Sequence, residues 1–277
     1  MKNYFLIAIL CLIFSCKSNT KQASTDTLAA SNTHEKSNPL IEKFKPLLEG
    51  TWVKKAYIDK VIATKSPLAA VDEAEDMTAF TVNTNDIKED SIKVLVGWGN
   101  HDSSEMTLKF QAGKHPSSVI FGAGELSLTS EDGATILTYY HPDEKSKKII
   151  ATKFVKAPSS GQTNQLAYDT YYLVNKGLIA GDYIITDSLG KTSKINFEAH
   201  GKVTGFFNFN TYDINIDLNS DAMDNLDEIS FKAGEKKYQS YSFKFDVDTL
   251  KLYETKPNED STLLVLDKMK YKLVKAK

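Results

Sequence analysis

From residue 40 onward the chain is a succession of short segments in which β-branched and aromatic residues alternate with polar ones. The clearest segments lie at 91–98, 124–130, 193–199, 202–209 and 241–247. Turn residues separate such segments, as at 131–133, 188–190 and 233–235. Strands of this length and spacing predict an antiparallel meander that closes into barrels or packs as a sandwich. The predicted fold class is therefore all-β.

Helical signals are few. Ser66 is an N-cap residue and Pro67 suits the first helical position, so a short helix is expected up to Met77. A second helix is expected over 166–174.

The strand pattern contains a repeat. Residues 45–52 (KPLLEGTW) resemble 176–183 (KGLIAGDY), and the segments 136–157 and 250–276 both end in Val-Lys-Ala. These matches predict two similar β units at 40–157 and 176–277, joined by a connecting segment at 158–175. The turn-rich sequence PSSGQTN at 158–164 marks the boundary. The alternative is chance similarity between β-rich segments.

Gly50-Thr51-Trp52, behind the amphipathic lead-in LIEKFKPLL, resembles the Gly-x-Trp that opens the first strand of lipocalins and related calycin barrels. The resemblance implies that the lead-in closes one barrel end, that Trp52 packs across it, and that ligands enter at the opposite mouth. The second unit has Gly181 and Tyr183 at the matching positions. Lipocalins pack an arginine over the tryptophan, and here Lys153 or Lys272 is expected instead. The expected architecture is two tandem lipocalin-like antiparallel β-barrels after a disordered tether.

The N-terminus has the organisation of a secretory signal. Lys2 precedes an apolar run at 4–14, which is too short to span a bilayer as a helix. Ile13-Phe14-Ser15-Cys16 resembles a bacterial lipobox, which implies a signal peptide at 1–15 and a lipidated Cys16. A buried first strand or core helix is the alternative. Residues 16–39 contain too few apolar residues to fold and are expected to form the tether.

The anchor also predicts a location. Lys17 is not the aspartate that retains lipoproteins in the inner membrane of enteric bacteria, and the acidic export cluster of Bacteroidetes surface lipoproteins is missing. The expected location is the outer membrane, facing the periplasm, with the membrane as partner through Cys16. The whole chain also resembles two-unit Bacteroidetes lipoproteins of unassigned function.

The composition excludes some classes of function. The 34 basic residues are all lysine, against 36 acidic residues, and the net charge is −2. Arginine provides the planar fork that reads guanine and holds phosphate, so nucleic acid is not an expected partner. Cys11 and Cys16 are the only cysteines, so no disulfide framework is expected in the folded part.

Catalytic signatures are missing from the sequence. No His-Glu-x-x-His, Cys-x-x-Cys or Gly-x-Ser-x-Gly occurs. His101 lies in a polar turn, and His115, His141 and His200 each precede a turn former, which predicts surface loops. We therefore expect no catalytic residues, no cofactor and no enzymatic activity.

One acidic stretch matches part of a calcium-loop frame. Asp217, Asn219, Asp221 and Glu228 occupy positions 1, 3, 5 and 12 of that frame. Ala222 replaces the glycine required at position 6, and Asp217 and Asn219 continue an alternating strand pattern. A plain acidic loop is the expected outcome, with a calcium site as the alternative.

Two functions remain open from the sequence. The first is a carrier of a small apolar ligand in a barrel lumen. The second is an interaction module with filled barrels that engages envelope proteins or glycans. An open apolar lumen of a few hundred Å³ would favour the carrier, and a packed interior would favour the module.

Overall fold

The computed structural model describes residues 38–143, 145–158, 166–187, 189–218, 223–234 and 237–277. The predicted signal peptide, the predicted lipidation site Cys16 and nearly all of the predicted tether lie outside these residues. The prediction of an all-β chain with two tandem antiparallel units is confirmed, and each unit has eight strands.

The first unit is a closed barrel that begins with helix α1 (Pro39–Leu48). Each strand pairs antiparallel with the next, and β8 returns to pair with β1. Helix α2 (Lys55–Thr64) and a 3-10 helix (Leu68–Ala74) connect β1 to β2, and a shorter 3-10 helix (Thr84–Asp86) connects β2 to β3. The strands are β1 (Gly50–Lys54), β2 (Met77–Val82), β3 (Ser91–Trp98), β4 (Asp102–Ala112), β5 (Ser118–Phe121), β6 (Gly124–Glu131), β7 (Ala134–Pro142) and β8 (Ile149–Lys156).

The second unit repeats this meander after helix α3 (Leu166–Leu178). Its strands follow the same cyclic order, with β16 pairing back to β9 and the ladder interrupted between β11 and β12. A single bridge between Lys202 and Thr211 spans that interruption. The strands are β9 (Gly181–Thr186), β10 (Thr192–Phe197), β11 (Val203–Thr204), β12 (Thr211–Ile214), β13 (Glu228–Ala233), β14 (Lys237–Asp246), β15 (Thr249–Pro257) and β16 (Leu264–Lys275).

The two units share the same register where their first and last strands meet. Trp52 lies opposite Lys156, and Tyr183 lies opposite Lys275. The alanine of each Val-Lys-Ala ending then donates its backbone N–H to the first strand, from Ala157 to Thr51 O (2.9 Å) and from Ala276 to Asp182 O (2.8 Å). The segments that are similar in sequence therefore also pair in the same way, the last strand with the first strand of each unit.

Helices α2 and α3 join the two barrels. Tyr57 and Val61 of α2 are buried in the same hydrophobic cluster as Val174 and Leu178 of α3. That cluster continues through Tyr183 into the interior of the second barrel. The residues that the structure describes between 38 and 277 accordingly form one compact unit.

Four local elements differ from expectation. The strand predicted over 202–209 ends at Thr204. The helix predicted from Ser66 to Met77 is a 3-10 helix that stops at Ala74, and α2 was not anticipated. The helix expected over 166–174 is present and extends to Leu178. It begins inside the predicted connecting segment at 158–175 and ends inside the predicted second unit.

Candidate functional site

The closed end of the first barrel is built around Trp52. The indole is fully buried beneath α1, and its Nε1–H donates to Leu48 O at 2.8 Å. Lys156 Nζ lies 5.6 Å from the centre of the ring and also donates to Leu47 O at 3.4 Å. The lysine therefore combines a cation–π contact with the capping of free carbonyls at the end of α1.

The second barrel has the same arrangement with Tyr183 in place of tryptophan. Tyr183 is fully buried, and Lys275 Nζ lies 5.9 Å from its ring centre. Its hydroxyl has no hydrogen-bond partner in the described part of the chain. Burial, with a smaller contribution from the charge of Asp248, raises the pKa of Tyr183 to about 12.

The expectation that Lys153 or Lys272 covers these rings is wrong. Lys153 forms an ion pair with Glu131, and Lys272 lies opposite Lys251 in the β15–β16 ladder. The lysines that cover the rings are Lys156 and Lys275, which lie three residues after Lys153 and Lys272, respectively. Gly50 (φ +102°) and Gly181 (φ +137°) have backbone conformations that favour glycine, and a Cβ there would lie 3.4 Å and 3.2 Å from the Cε atoms of these lysines.

Aromatic rings occupy the lumen of the first barrel. Phe80 lies opposite Trp52 across β1 and β2, and its ring centre is 5.0 Å from Phe154 and 5.5 Å from Phe121. Phe121 in turn lies 5.4 Å from Tyr139, which reaches the open end. The rings of Phe80, Phe121 and Tyr139 are therefore in successive contact along the lumen, from the residue opposite Trp52 to the mouth.

The second barrel is filled in the same way. Phe197 contacts Tyr183 at 5.4 Å and Tyr212 at 5.1 Å between ring centres. Phe231 lies 5.0 Å from Phe206 and 6.1 Å from Tyr241. All of these side chains are buried, so the packed interior favours the interaction module over the lumen carrier.

A cavity of about 410 Å³ lies at the open end of the first barrel, which we call the first mouth. It is assembled from the segment before β2, the last residue of β3, the turn after β5, and the end of β7 with the turn that follows it. Its lining combines the aromatic side chains Trp98, Tyr139 and His141 with the charged side chains Glu75, Asp76, Asp143, Lys145 and Lys147.

The aromatic side chains of the first mouth are held in fixed orientations. The His141 ring is stacked on Tyr139 at 4.4 Å, with an angle of 13° between the planes, and its Nε2 lies 3.1 Å from Thr152 Oγ1. Trp98 Nε1–H donates to Ser104 Oγ at 2.7 Å. Burial lowers the pKa of His141, so its imidazole is neutral at pH 7. Sequence analysis placed His141 in a surface loop, but it lies in β7 and lines the cavity.

The second barrel has a cavity of about 520 Å³ at its own open end, which we call the second mouth. It is lined by the end of β9, by the β9–β10 turn, by the segment that follows β11 and by β16. The apolar side chains here are Ile185, Phe206, Phe207 and Tyr271, and the charged ones are Asp187, Lys191, Lys270 and Lys272.

The calcium-loop candidates are only partly described. Asn219 and Asp221 lie outside the described residues. Asp217 Oδ1 lies 3.5 Å from His101 Nδ1, and Glu228 begins β13 with its carboxylate accepting from Ser230 Oγ at 3.4 Å. Within the described residues, no group of three or more His, Cys, Asp or Glu side chains is placed to hold a metal ion.

Another cavity, of about 310 Å³, lies between the two barrels. Asn100 and His101 line it from the first barrel, and Thr170 and Ile216 line it from the second. Asn100 also donates through its side chain to Ile216 O at 3.2 Å, so this cavity is part of the contact that joins the units.

Glu125 is a buried carboxylate that sequence analysis did not single out. Its Oε2 accepts hydrogen bonds from Lys114 N (2.8 Å), His115 N (2.9 Å), His115 Nδ1 (3.0 Å) and Ser118 Oγ (2.8 Å). Burial alone would raise the pKa of Glu125, but the hydrogen bonds from His115, Lys114 and Ser118 outweigh it and lower the pKa to about 2. The carboxylate holds the turn between β4 and β5, which is a structural role.

No family model, curated protein or solved structure matches the chain. None of the described helices has the length and apolar character needed to cross a membrane.

Proposed function

We propose that the chain is a lipid-anchored, non-catalytic binding protein of the bacterial cell envelope that holds a polar ligand, such as an envelope glycan, in its first mouth. The filled barrels act as rigid supports, and Cys16 provides the anchor on the outer membrane. The observation that carries the proposal is the contrast between an interior packed with aromatic rings and the 410 Å³ cavity at the mouth.

The chemistry of the first mouth supports a glycan. Sugar rings present C–H faces that pack on aromatic side chains, and Trp98 and His141 offer such surfaces at fixed orientations. Sugar hydroxyls form hydrogen bonds with carboxylates and ammonium groups, which Asp76, Asp143 and Lys147 provide. The volume also lies within the roughly 300–1,000 Å³ of typical ligand sites.

The two tryptophans of the chain give a direct test. Trp98 lines the first mouth, and Trp52 is buried at the closed end of the same barrel. In a Trp52→Phe chain, oligosaccharide fragments of the envelope should change the Trp98 emission in a saturable manner. His141→Ala should weaken that binding by about tenfold, because an aromatic anchor is lost.

Lys109→Glu, on the exposed outer face of β4, is the matched control and should leave the titration unchanged. If no fragment changes the emission, or if His141→Ala binds as well as its parent, the first mouth is not a glycan site.

The anchor is tested separately. Cys16→Ala should release the protein from the membrane fraction or leave the precursor uncleaved, because the acylated residue is lost. Unchanged membrane association with normal processing would contradict the lipid anchor and leave the ligand test unaffected.

A further inference from the structure

The second mouth exposes a large apolar side chain at its edge. Phe207, which lines the cavity, is 66% exposed, and Leu189, in the β9–β10 turn between the lining residues Asp187 and Lys191, is 91% exposed. Isolated apolar residues on a surface are common, but Phe207 borders a cavity whose floor is also apolar. Such a surface suits the apolar part of a ligand.

Phe207 is held in place by its backbone. Its φ angle is +51°, in the left-handed region that a bulky side chain rarely adopts. In this conformation the ring lies 5.2 Å from both Phe206 and Tyr271, at the edge of the cavity. Strain of this kind persists only where the surroundings impose it, and it is frequent at sites that hold ligands.

The charges around the second mouth are mainly positive. Asp187 is the one carboxylate of its described lining, and its Oδ1 already accepts the backbone N–H groups of Leu189 and Lys191, both at 2.9 Å. Lys270 pairs with Glu254 at 2.8 Å. Within the described residues, Lys191 and Lys272 form no ion pair, so their ammonium groups are available to a ligand.

We propose that the second mouth binds a single-chain anionic amphiphile. Its apolar chain would lie on Phe206 and Tyr271 beneath Phe207, and its head group would reach Lys191 and Lys272. The cavity of about 520 Å³ is large enough for such a ligand. The chemistry that recognises the head group is its negative charge, which a fatty-acid carboxylate and a monoacyl phosphate share.

Calorimetric titration of the full chain tests this site. The probes are decanoate, decyl phosphate and an uncharged decyl glycoside, each below its micelle-forming concentration. Saturable binding of at least one anionic probe is expected, with the uncharged probe bound about tenfold more weakly because it gains nothing from the lysines. Comparison of the two anionic probes identifies the preferred head group.

Matched variants assign the binding to the second mouth. Phe207→Ser and Lys191→Glu change exposed side chains, and each should weaken the anionic probe by about tenfold. Val247→Ser, at an 86% exposed position in the β14–β15 turn, and Lys109→Glu are the controls and should bind normally. The N-terminal apolar run is the same in all of these chains, so differences among them belong to the mouth.

The proposal is overturned if neither anionic probe binds, if the uncharged probe binds equally well, or if Phe207→Ser and Lys191→Glu have no effect. Binding to vesicles of anionic lipid without binding to the monomeric probes would also overturn it, since the rim would then dock on a membrane. None of these results bears on the glycan titration, which reports on Trp98 in the other barrel.

Discussion

At the scale of single residues, one aromatic side chain and one lysine close each barrel, but the two pairs are not equivalent in hydrogen bonding. Trp52 donates to Leu48 O, whereas the Tyr183 hydroxyl is buried without a partner in the described part of the chain. An unsatisfied buried hydroxyl costs free energy that an apolar ring of the same shape would not.

Tyr183→Phe should therefore leave the free energy of unfolding unchanged or raise it by up to about 1 kcal/mol. Tyr183→Ala and Trp52→Ala should each lower it by about 3–5 kcal/mol, because each leaves a large cavity. Denaturant titration of the three variants measures these differences. A clear loss of stability in Tyr183→Phe would mean that the hydroxyl has a partner after all.

Glu125 should make stability depend on pH in the acid range. Its pKa is lowered from 4.5 to about 2 in the folded chain, so its contribution is fully present above pH 4.5 and is lost as the pH falls towards 2. Glu125→Gln should reduce the loss of stability between pH 4.5 and pH 2. At pH 7 it should lower the free energy of unfolding by about 1–3 kcal/mol.

Ser118→Ala removes one of the four hydrogen bonds to Glu125. Its loss of stability between pH 4.5 and pH 2 should be intermediate between those of the parent chain and Glu125→Gln. Thermal melts between pH 2 and pH 7 provide the measurement. If stability depends on pH equally steeply in Glu125→Gln and in the parent chain, groups other than Glu125 control the acid dependence.

At the scale of elements, the strands follow from local sequence and the exceptions have identifiable causes. β3 (Ser91–Trp98) matches its predicted bounds because its buried side chains alternate. The strand expected over 202–209 stops early because Gly205 and Phe207 both have positive φ angles, which a strand does not accommodate. In α2, Tyr57, Ile58 and Val61 are spaced for one helix face, and this signal was available but overlooked.

The mouths could not be predicted in the same way. Asp76 precedes β2, Trp98 ends β3 and His141 lies near the end of β7, and only closure of the barrel brings them to one end. The closing lysines were misplaced because their position depends on the register between first and last strands. The repeated Val-Lys-Ala endings carried that information, since each marks where the last strand meets the first.

Close contact between α2 and α3 depends on Gly177. A Cβ at this position would lie 2.4 Å from Ile62 Cδ1 and 2.5 Å from Cγ1. In an Ile62→Ala chain, Gly177→Ala should stabilise α3 by about 0.5–1 kcal/mol, through the better helix propensity of alanine. In the parent chain the same change should be neutral or destabilising, because Ile62 must move.

A double-mutant cycle in denaturant measures the coupling between Gly177 and Ile62. Equal effects of Gly177→Ala in the two backgrounds would mean that the helices do not touch here.

At the scale of the whole molecule, the first barrel has its own interior cluster, and the cluster that fills the second barrel extends through α2 and α3 to Val53 and Ala79 on β1 and β2. Because this second cluster includes residues of both barrels, we expect the barrels to unfold together. Both tryptophans belong to the first barrel, whereas Phe231 is buried in the second. Phe231→Ala should lower the free energy of unfolding by about 3–5 kcal/mol and move the tryptophan fluorescence midpoint with it.

Far-ultraviolet circular dichroism of the same samples should give the same midpoint as fluorescence. An earlier circular dichroism transition in Phe231→Ala, with tryptophan fluorescence unaffected, would show that the barrels unfold independently.

The central claim is that ligands are held at the mouths and do not enter the lumens. A Trp98→Phe chain leaves Trp52 as the sole tryptophan, separated from the first mouth by the rings of Phe80, Phe121 and Tyr139. A brominated fatty acid quenches tryptophan on contact, so a chain entering the lumen would quench Trp52. We predict that Trp52 emission stays unchanged at all concentrations of the brominated acid below its micelle-forming concentration. Saturable quenching of Trp52 would contradict the account and establish the first barrel as a carrier.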